Sequence, residues 1–266
     1  MLFSSNKKQI HGATGAVSFE GRSEPIVVLI HGAGMDRSVW SQQTRFLAHH
    51  GFRALAIDLP AHGHSEGPAL ESVPELAEWI NDLSDHFGES LHLVGHSMGA
   101  LVALHAAGHH KNSVSSVSLL GVGASMPVHP ELQESADAND VKAAQLITSW
   151  GHSARHHLGN NPTPGLSMTG GTQALIESTS SGVLGIDLMA CASYDGALGS
   201  AEQIECPVLF LLGAEDKMTP RKTAQPLIDA ISSSKSVVDF PGTGHMVMIE
   251  EPDRVRQELL THMTSE

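Results

Sequence analysis

Cysteine is nearly absent from this chain of 266 residues, which contains only Cys191 and Cys206. Two cysteines are too few for a disulfide framework, and their irregular placement does not suit a thiolate zinc site. Both are expected to be small side chains of the core. The scarcity of cysteine favours a reducing compartment, so the cytoplasm is the predicted location.

Basic residues and long hydrophobic runs are also scarce. Lysine and arginine number 15 against 29 aspartates and glutamates, which gives a net charge of −14 and disfavours nucleic-acid binding. No segment approaches the ~18 to 20 continuous apolar residues of a membrane span, and no secretory signal is visible at the N-terminus. The 41% of hydrophobic residues predicts one large folded domain, as a monomer or homodimer, whose partner is a small molecule rather than a nucleic acid or a membrane.

Histidine, in contrast, is abundant, with 18 residues. His105 with His109, and His152 with His156, have the i, i+4 spacing that places two imidazoles on one helix face, as a zinc site needs. Neither pair has the intervening glutamate of the H-E-x-x-H pattern. Histidines at this spacing arise easily by chance, so no metal site is expected.

Short β-branched runs alternate with amphipathic stretches along most of the chain. The uninterrupted apolar run Ile26–Ile30 suits a central parallel strand that is covered on both faces. This alternation predicts an α/β fold with a mostly parallel sheet flanked by helices. Residues before 25 are expected to form an antiparallel hairpin at the sheet edge. The other predicted strands are 53–57, 91–94, 114–120, 208–212 and 236–240, and the predicted helices are 38–50, 73–87, 98–109, 220–232 and 252–263.

The alternation stops between residues 122 and 200. Glycine, proline, serine and asparagine interrupt short helical pieces there, such as 140–150 and 171–177, and no strand-like run is present. We therefore predict a core of residues 1–121 and 201–266, with a helical cap inserted at 122–200. The pair Gly121 and Gly123 is too little for a dinucleotide-binding fingerprint, and no cofactor is expected.

A G-x-S-x-G motif, residues 95–99, lies between a predicted strand and a predicted helix. In this context the two glycines allow a sharp turn that exposes Ser97 at the helix N-terminus, where backbone N–H groups favour negative charge. Ser97 is therefore the candidate nucleophile.

A serine nucleophile needs a base, and the base needs an acid that orients it. Glu215 and Asp216 follow one predicted strand, and His245 follows the last one, so all lie at the strand ends where sites form in α/β sheets. His245 is the candidate base, because in proteins with a G-x-S-x-G nucleophile turn between a strand and a helix the base follows the serine along the chain. His31 precedes the serine and is the less favoured alternative.

The segment 31–34, His-Gly-Ala-Gly, follows the first buried strand. Acyl transfer creates an oxyanion that backbone donors must stabilise, and the N–H groups of Ala33 and Met98 are the candidates.

Together these motifs resemble the α/β-hydrolase superfamily over nearly the whole chain, in the branch of small capped serine esterases, enol-lactonases and meta-cleavage-product hydrolases. The resemblance implies an α/β-hydrolase fold with a cap. Its G-x-x-D pattern selects Asp216 over Glu215 as the acid, and makes Asp58 a structural residue. Family members usually have glycine where Ala61 stands, a difference that affects local turn geometry. The matching segments are residues 31–32, 58–65, 95–99, 213–216 and 244–245, with Glu250 and Pro252 behind them.

The residues that would select the substrate are mostly apolar. Trp150 and Met246 are the candidates for lining a pocket that suits an apolar or aromatic group. Arg155 could grip a substrate carboxylate, as a cap arginine does in similar meta-cleavage hydrolases, or be an ordinary solvated residue, which is favoured. Further candidates, more than half of which are expected to pack the cap onto the core, are Leu146, Ile147, Leu158, Leu166, Met168, Leu184, Leu188, Tyr194 and Met98.

Three functions are therefore compared. The favoured one is a serine hydrolase of carboxylic esters, including lactones, that acts through an acyl-enzyme on Ser97. The second is hydrolysis of C–C bonds in meta-cleavage-type products by the same residues. The third is a ligand-binding protein built on the same fold. The complete set of nucleophile, base, acid and oxyanion loop favours an enzyme.

Overall fold

The computed structural model describes residues 2–5, 8–159, 161–162, 165 and 167–265. Within these residues eight strands form one sheet, in the order β1, β2, β4, β3, β5, β6, β7, β8. The first two strands pair antiparallel with each other, β2 pairs antiparallel with β4, and all other pairs are parallel. The strands are β1 Leu2–Ser5, β2 Lys8–Ala13, β3 Ile26–Ile30, β4 Arg53–Ile57, β5 Leu91–His96, β6 Val114–Leu120, β7 Val208–Gly213 and β8 Lys235–Phe240.

The predicted α/β class and the mostly parallel sheet are confirmed, and the N-terminal hairpin lies at the sheet edge as expected. The central strands β3 and β4 are buried along their whole length. Both faces of these strands are therefore covered, which is why their sequences are nearly continuous apolar runs rather than alternating ones.

Helices cover both faces of the sheet. One buried apolar cluster joins it to α2, α3, α9 and α10, and a second joins it to α1, α5, α8 and α12. The helices are α1 Ser41–Ala48, α2 Val73–Phe87, α3 Met98–His109, α4 Pro130–Asp137, α5 Val141–Gly151, α6 Ala154–His157, α7 Met168–Glu177, α8 Val183–Ser193, α9 Ala197–Gln203, α10 Arg221–Ala230, α11 Val247–Glu250 and α12 Pro252–Thr264.

Local sequence explains where α2 begins and ends. Ser72 caps its N-terminus by accepting a hydrogen bond from the Glu75 N–H, and Pro74 occupies the first turn, where its missing N–H is not needed. Gly88 ends the helix in the left-handed conformation, with φ of 69°. The helix therefore has the predicted bounds, residues 73–87.

Six helices, α4 to α9, lie between β6 and β7, and the described part of this segment contains no strand. We call residues 122–200 the helical insertion. The predicted boundary after residue 200 falls inside α9, which packs against α3 and α10 of the core. Among the described residues, no helix is both long enough and apolar enough to traverse a bilayer.

Candidate active site

Ser97 occupies a strained turn between β5 and α3. Its φ is 54° and its ψ is −115°, and its N–H donates to the Leu120 carbonyl at 2.9 Å. A Cβ at Gly95 would collide with the backbone of Gly99, and a Cβ at Gly99 would collide with the carbonyl oxygens of Ile30 and His31. Only glycine fits at these two positions, which is the physical basis of the G-x-S-x-G pattern in this chain.

His245 lies on the loop after β8, and Asp216 lies on the loop after β7. The Nδ1–H of His245 donates to Asp216 Oδ2 at 2.8 Å, which leaves Nε2 with the lone pair in the neutral ring. Both side chains are buried. His96 stabilises the loop that carries His245, because its Nε2–H donates to the His245 carbonyl at 3.1 Å. Burial, followed by the proximity of His245, lowers the pKa of His96 to about 3, so its ring is neutral.

The Asp216 carboxylate is surrounded by donors. Oδ1 accepts from the N–H groups of Met218 and Thr219, both at 2.8 Å, and Oδ2 accepts from the Thr219 hydroxyl at 2.7 Å. Burial raises the pKa of Asp216, but His245 and the two hydrogen bonds from Thr219 outweigh it and lower the pKa overall. The carboxylate is therefore ionised at neutral pH. The neighbouring Glu215 is exposed.

The loop 31–34 lies against Ser97. A Cβ at Gly32 would contact the Cβ of Ser97 at 3.2 Å, and Ala33 lines the same cavity as Ser97 and His245. Met98 is the first residue of α3 and is fully buried. The two candidate donors thus belong to different segments: Ala33 lines the same cavity as Ser97, and Met98 follows Ser97 along the chain.

His31 is engaged in a different task from proton transfer. Its Nε2 accepts from the Leu59 N–H at 3.1 Å, and its Nδ1–H donates to the Gly32 carbonyl at 2.9 Å. Burial lowers the pKa of His31 well below its ordinary value, which keeps the ring neutral. Both nitrogens are occupied, so the geometry gives no support to His31 as the base.

Asp58 fixes the segment 58–65. It accepts from the N–H groups of Arg37 and His64 and pairs with the Arg37 guanidinium. Ala61, where family members usually have glycine, has a φ of 70°. The backbone thus keeps the left-handed conformation that glycine would adopt more easily.

An apolar cavity of about 130 Å³ lies above Ser97 and His245. The helical insertion and the loops at the edge of the sheet each supply part of its wall. Among the described residues that line it, Lys217 is the only lysine or arginine, and its side chain is exposed. The other lining residues are Ala33, Met35, Met126, Pro127, Val128, His129, Leu132, Ile147, Trp150, Leu188, Cys191, Met218, Thr219 and Met246.

The predicted substrate-binding residues separate into two groups. Trp150 and Met246 line the cavity. Arg155 does not line it: its side chain is 41% exposed, and its guanidinium pairs with Glu251 on the outside of the molecule. The structure therefore places Arg155 where the solvated alternative put it.

The remaining apolar candidates divide as well. Ile147 and Leu188 line the cavity, whereas Leu158 is 93% exposed. Leu166 lies outside the described residues. The others are not among the residues that line the cavity, and most pack within the helical layers: Leu146, Met168, Leu184, Tyr194 and Met98.

Two residues near the site were missed by sequence reasoning. Thr219 contacts both members of the His245–Asp216 pair, with its hydroxyl 3.1 Å from His245 Nδ1. Asp187 on α8 is buried against the loop 31–34 and accepts from the Gly34 N–H at 2.8 Å. One signal was available for Asp187, which is the only charged residue between positions 183 and 194 of an otherwise apolar helix.

Glu250 joins the His245 loop to the insertion. Its buried carboxylate accepts from the Gly244 N–H at 3.1 Å and from the Ser153 hydroxyl at 2.7 Å, and it contacts His156 Nδ1 at 2.5 Å. The N–H of His245 donates to the Gly151 carbonyl at 2.8 Å. The catalytic candidate His245 is thus held by residues of the insertion.

The histidine pairs considered as zinc ligands have other partners. The rings of His105 and His109 stack at 4.2 Å, and His105 Nδ1 contacts the Tyr194 hydroxyl at 2.9 Å. His152 Nε2 contacts the Thr172 hydroxyl at 2.9 Å. Within the described part of the chain, no group of three or more histidine, cysteine, aspartate or glutamate residues is arranged to hold a metal ion.

Comparison with known proteins agrees with this geometry. Residues 27–258 match the family described as the alpha/beta hydrolase family. The chain belongs to the α/β-hydrolase family. This α/β-hydrolase is 30% identical, over 251 residues, to the pimeloyl-[acyl-carrier protein] methyl ester esterase of Vibrio vulnificus strain YJ016, covering 89% of this chain and 93% of the relative.

Solved structures show the same fold. The enol-lactonase of Burkholderia xenovorans LB400 superposes on this α/β-hydrolase with a TM-score of 0.88 at 21% identity, covering 99% of this chain and 100% of the other. A thermophilic esterase from Thermogutta terrifontis gives a TM-score of 0.81 at 22% identity, over 99% and 96% of the two chains. At these identities the likeness establishes the fold of this hydrolase and not its substrate.

Proposed function

We propose that this protein hydrolyses carboxylic esters through an acyl-enzyme on Ser97. The observation that carries the proposal is the His245–Asp216 hydrogen bond in the wall of the cavity that also contains Ser97 on its strained turn. A relative named as a methyl ester esterase supports an ester substrate. The mechanism follows from the serine hydrolase logic of nucleophile, base and orienting acid.

In the first half of the reaction, His245 Nε2 takes the proton of the Ser97 hydroxyl as the oxygen attacks the ester carbonyl. The N–H groups of Ala33 and Met98 donate to the resulting oxyanion. Asp216 holds the imidazole with its proton on Nδ1 and stabilises the charged ring. The imidazolium then protonates the departing alcohol, and the acyl group remains on Ser97.

In the second half, water replaces the alcohol. His245 removes a proton from the water as it attacks the acyl-enzyme, and then returns a proton to Ser97 as the carboxylic acid leaves. Each step moves one proton between oxygen and His245. The cycle requires no metal ion or organic cofactor.

The cavity favours a small to medium substrate with an apolar acyl or alcohol group, including a methyl ester or a lactone. Its volume of about 130 Å³ accommodates only a modest group, and most of its lining side chains are apolar, among them four methionines and Trp150. C–C bond hydrolysis of meta-cleavage-type products is less well supported, because Arg155 lies outside the cavity and no buried cation among the described lining residues would hold a substrate carboxylate.

The test combines active-site labelling with turnover. The wild-type protein is expected to take up one fluorophosphonate by intact mass and to hydrolyse p-nitrophenyl butyrate, whereas Ser97→Ala does neither. Ser135→Ala removes a buried serine of α4 whose hydroxyl donates to the Glu131 carbonyl, and serves as the matched control that keeps both activities.

Three outcomes would contradict the proposal. Labelling that persists in Ser97→Ala would place the nucleophile elsewhere. Folded wild-type protein without adduct or turnover would favour the ligand-binding alternative. Turnover of a ring-cleavage dienoate at a kcat/KM far above that of any ester would favour C–C bond hydrolysis.

A further inference from the structure

The oxyanion loop is held by the insertion as well as by the core. The backbone of Gly34, the residue after the candidate donor Ala33, has both of its hydrogen-bonding groups bound by insertion side chains. Its N–H donates to Asp187 Oδ2 at 2.8 Å, and its carbonyl accepts from the Thr179 hydroxyl. Gly34 is separated from Asp187 by 153 positions along the chain. We call Asp187 and Thr179 the Gly34 clamp.

The backbone conformation of residue 34 and its closeness to α8 explain why this residue is glycine. Its φ is +65°, and a Cβ there would lie 2.7 Å from Leu184 Cδ1 of α8. Leu184 would have to shift to admit a side chain at residue 34, and the positive φ disfavours any residue other than glycine there. The clamp depends on this close approach.

The other side of Ala33 is held by the core. The Gly32 carbonyl, which shares a peptide group with the Ala33 N–H, accepts from the Met35 N–H at 3.2 Å and from His31 Nδ1 at 2.9 Å. The Ala33 N–H must point opposite to that carbonyl, because the peptide group is planar and trans. The direction of the donor thus depends on contacts at Gly32 and at Gly34, and the insertion supplies those at Gly34.

Asp187 also forms a buried ion pair. The side chains of His62 and Asp187 are 1% and 2% exposed, and His62 Nε2 lies 2.8 Å from Asp187 Oδ2. His62 Nδ1 lies 3.0 Å from the Pro60 carbonyl. Both ring nitrogens therefore face acceptors, which requires a proton on each. His62 is charged and Asp187 is its counter-ion.

We propose that Asp187 is a positioning residue for the oxyanion hole, which couples the insertion to catalysis through the Gly34 clamp. This inference rests on the proposed function, because it assigns a task to the Ala33 N–H. Asp187 touches neither the substrate nor the reacting atoms. Its loss is expected to weaken stabilisation of the oxyanion while leaving binding of the uncharged ester unchanged.

The experiment measures kcat and KM for p-nitrophenyl butyrate, together with the inhibition constant of an alkyl trifluoromethyl ketone whose serine adduct carries an oxyanion. Asp187→Ala is expected to lower kcat by about tenfold or more, with KM within about twofold, and to weaken the ketone by a similar factor. Thr179→Val, which removes the other half of the clamp without removing a charge, is expected to shift the same two quantities by about three- to tenfold.

Two matched variants separate positioning from general destabilisation. His62→Gln removes the ion pair but leaves Asp187 as the acceptor for Gly34, and is expected to keep kcat within about threefold of wild type. Thr172→Val removes a buried hydroxyl of α7 that contacts His152 and not Gly34, and is expected to leave kcat and the ketone constant unchanged.

The proposal is overturned if Asp187→Ala keeps wild-type kcat and ketone affinity, if it raises KM alone, or if His62→Gln is impaired as strongly as Asp187→Ala. Should Asp187→Ala fail to fold, Thr179→Val against Thr172→Val decides the question, and equal activity of these two variants overturns the proposal. A wild-type protein that neither hydrolyses esters nor binds the ketone would instead contradict the proposed function, so the two failures are distinguishable.

Discussion

At the residue scale, the His245–Asp216 pair shows how a carboxylate in a buried position remains ionised. Burial alone raises the pKa of Asp216, yet the pKa is lowered overall because His245 and the two donors of Thr219 act on the same carboxylate. The two contributions of Thr219 are distinct, since both its N–H and its hydroxyl donate to Asp216. The loss of kcat on replacing Asp216 should therefore differ from the loss on replacing its donor Thr219.

Asp216→Asn is expected to reduce kcat by roughly 10³- to 10⁴-fold, because an amide in place of the carboxylate favours the wrong histidine tautomer. Thr219→Val removes one hydrogen bond to a carboxylate that keeps its other donors, so a loss of about three- to tenfold is expected. Steady-state kinetics with p-nitrophenyl butyrate measures both.

The control for this pair is Thr44→Val, which deletes a buried hydroxyl bonded to the Trp40 carbonyl in α1, outside the cavity. It should retain wild-type kcat. Equal losses in Asp216→Asn and Thr219→Val would mean that Asp216 does not orient His245 in the way proposed.

At the element scale, the packing of α3 depends on a glycine. Gly108 near the end of α3 is buried against α9, and a Cβ there would lie 2.5 Å from the Ser200 carbonyl oxygen. Gly199 is one position away from that contact on α9, and a Cβ there would meet no atom within 4 Å. The two glycines lie on a pair of packed helices but have opposite environments.

Gly108→Ala is therefore expected to destabilise the protein by about 1 to 3 kcal/mol, because α3 and α9 must move apart. Gly199→Ala is expected to stabilise it by about 0.5 to 1 kcal/mol, since alanine loses less backbone entropy in a helix. Urea unfolding followed by circular dichroism measures both free energies. A Gly108→Ala protein as stable as wild type would show that the α3–α9 contact is looser than described.

At the scale of the whole molecule, several buried histidines make stability depend on pH. Burial lowers the pKa of His92 and His152 to about 4 and that of His96 to about 3, from an ordinary value of 6.5. The unfolded chain takes up protons at these side chains as the pH falls through 6.5, whereas the folded chain does so only near or below pH 4. Their contribution is therefore complete above pH 6.5 and is lost between pH 6.5 and 4.

The loss is on the order of 2 kcal/mol for each such histidine at pH 5, a sizeable part of a typical total stability. His62 acts in the opposite direction. The Asp187 carboxylate outweighs burial and raises the pKa of His62, so the stability it adds is present below pH 6.5 and is lost as the pH rises through its raised pKa. His62 therefore offsets only part of the stability that His92, His96 and His152 lose as the pH falls.

The melting temperature is accordingly expected to fall steeply between pH 6.5 and 4.5. Thermal unfolding followed by circular dichroism at half-unit steps of pH measures this fall. His92→Gln retains a partner for the Ser116 hydroxyl, which lies 2.8 Å from His92 Nδ1, and should flatten the pH dependence even where it lowers stability at pH 8. A melting temperature that is constant down to pH 4.5 would contradict the assignment of neutral buried histidines.

Much of the fold was predictable because local patterns specify local elements. The strands Ile26–Ile30, Arg53–Ile57 and Val114–Leu120 have the predicted bounds, since each is a short run in which most residues are apolar. In the insertion, the bounds of α8 were not predicted individually, because this helix is apolar nearly all round and shows no helical periodicity. The Ser97 turn was predictable because its glycines are required by contacts within the turn and with the end of β3.

The sequence by itself determined the order of strands and helices, the membership of the α/β-hydrolase family and the candidates Ser97, Asp216 and His245, because these depend on short-range patterns and chain order. Only the tertiary structure decided which side chains meet. It brought the Asp216 carboxylate to His245 Nδ1, placed Arg155 on the outer surface, and brought Asp187 to Gly34. Such contacts join segments that are distant along the chain, and packing of the whole molecule sets the direction of each side chain.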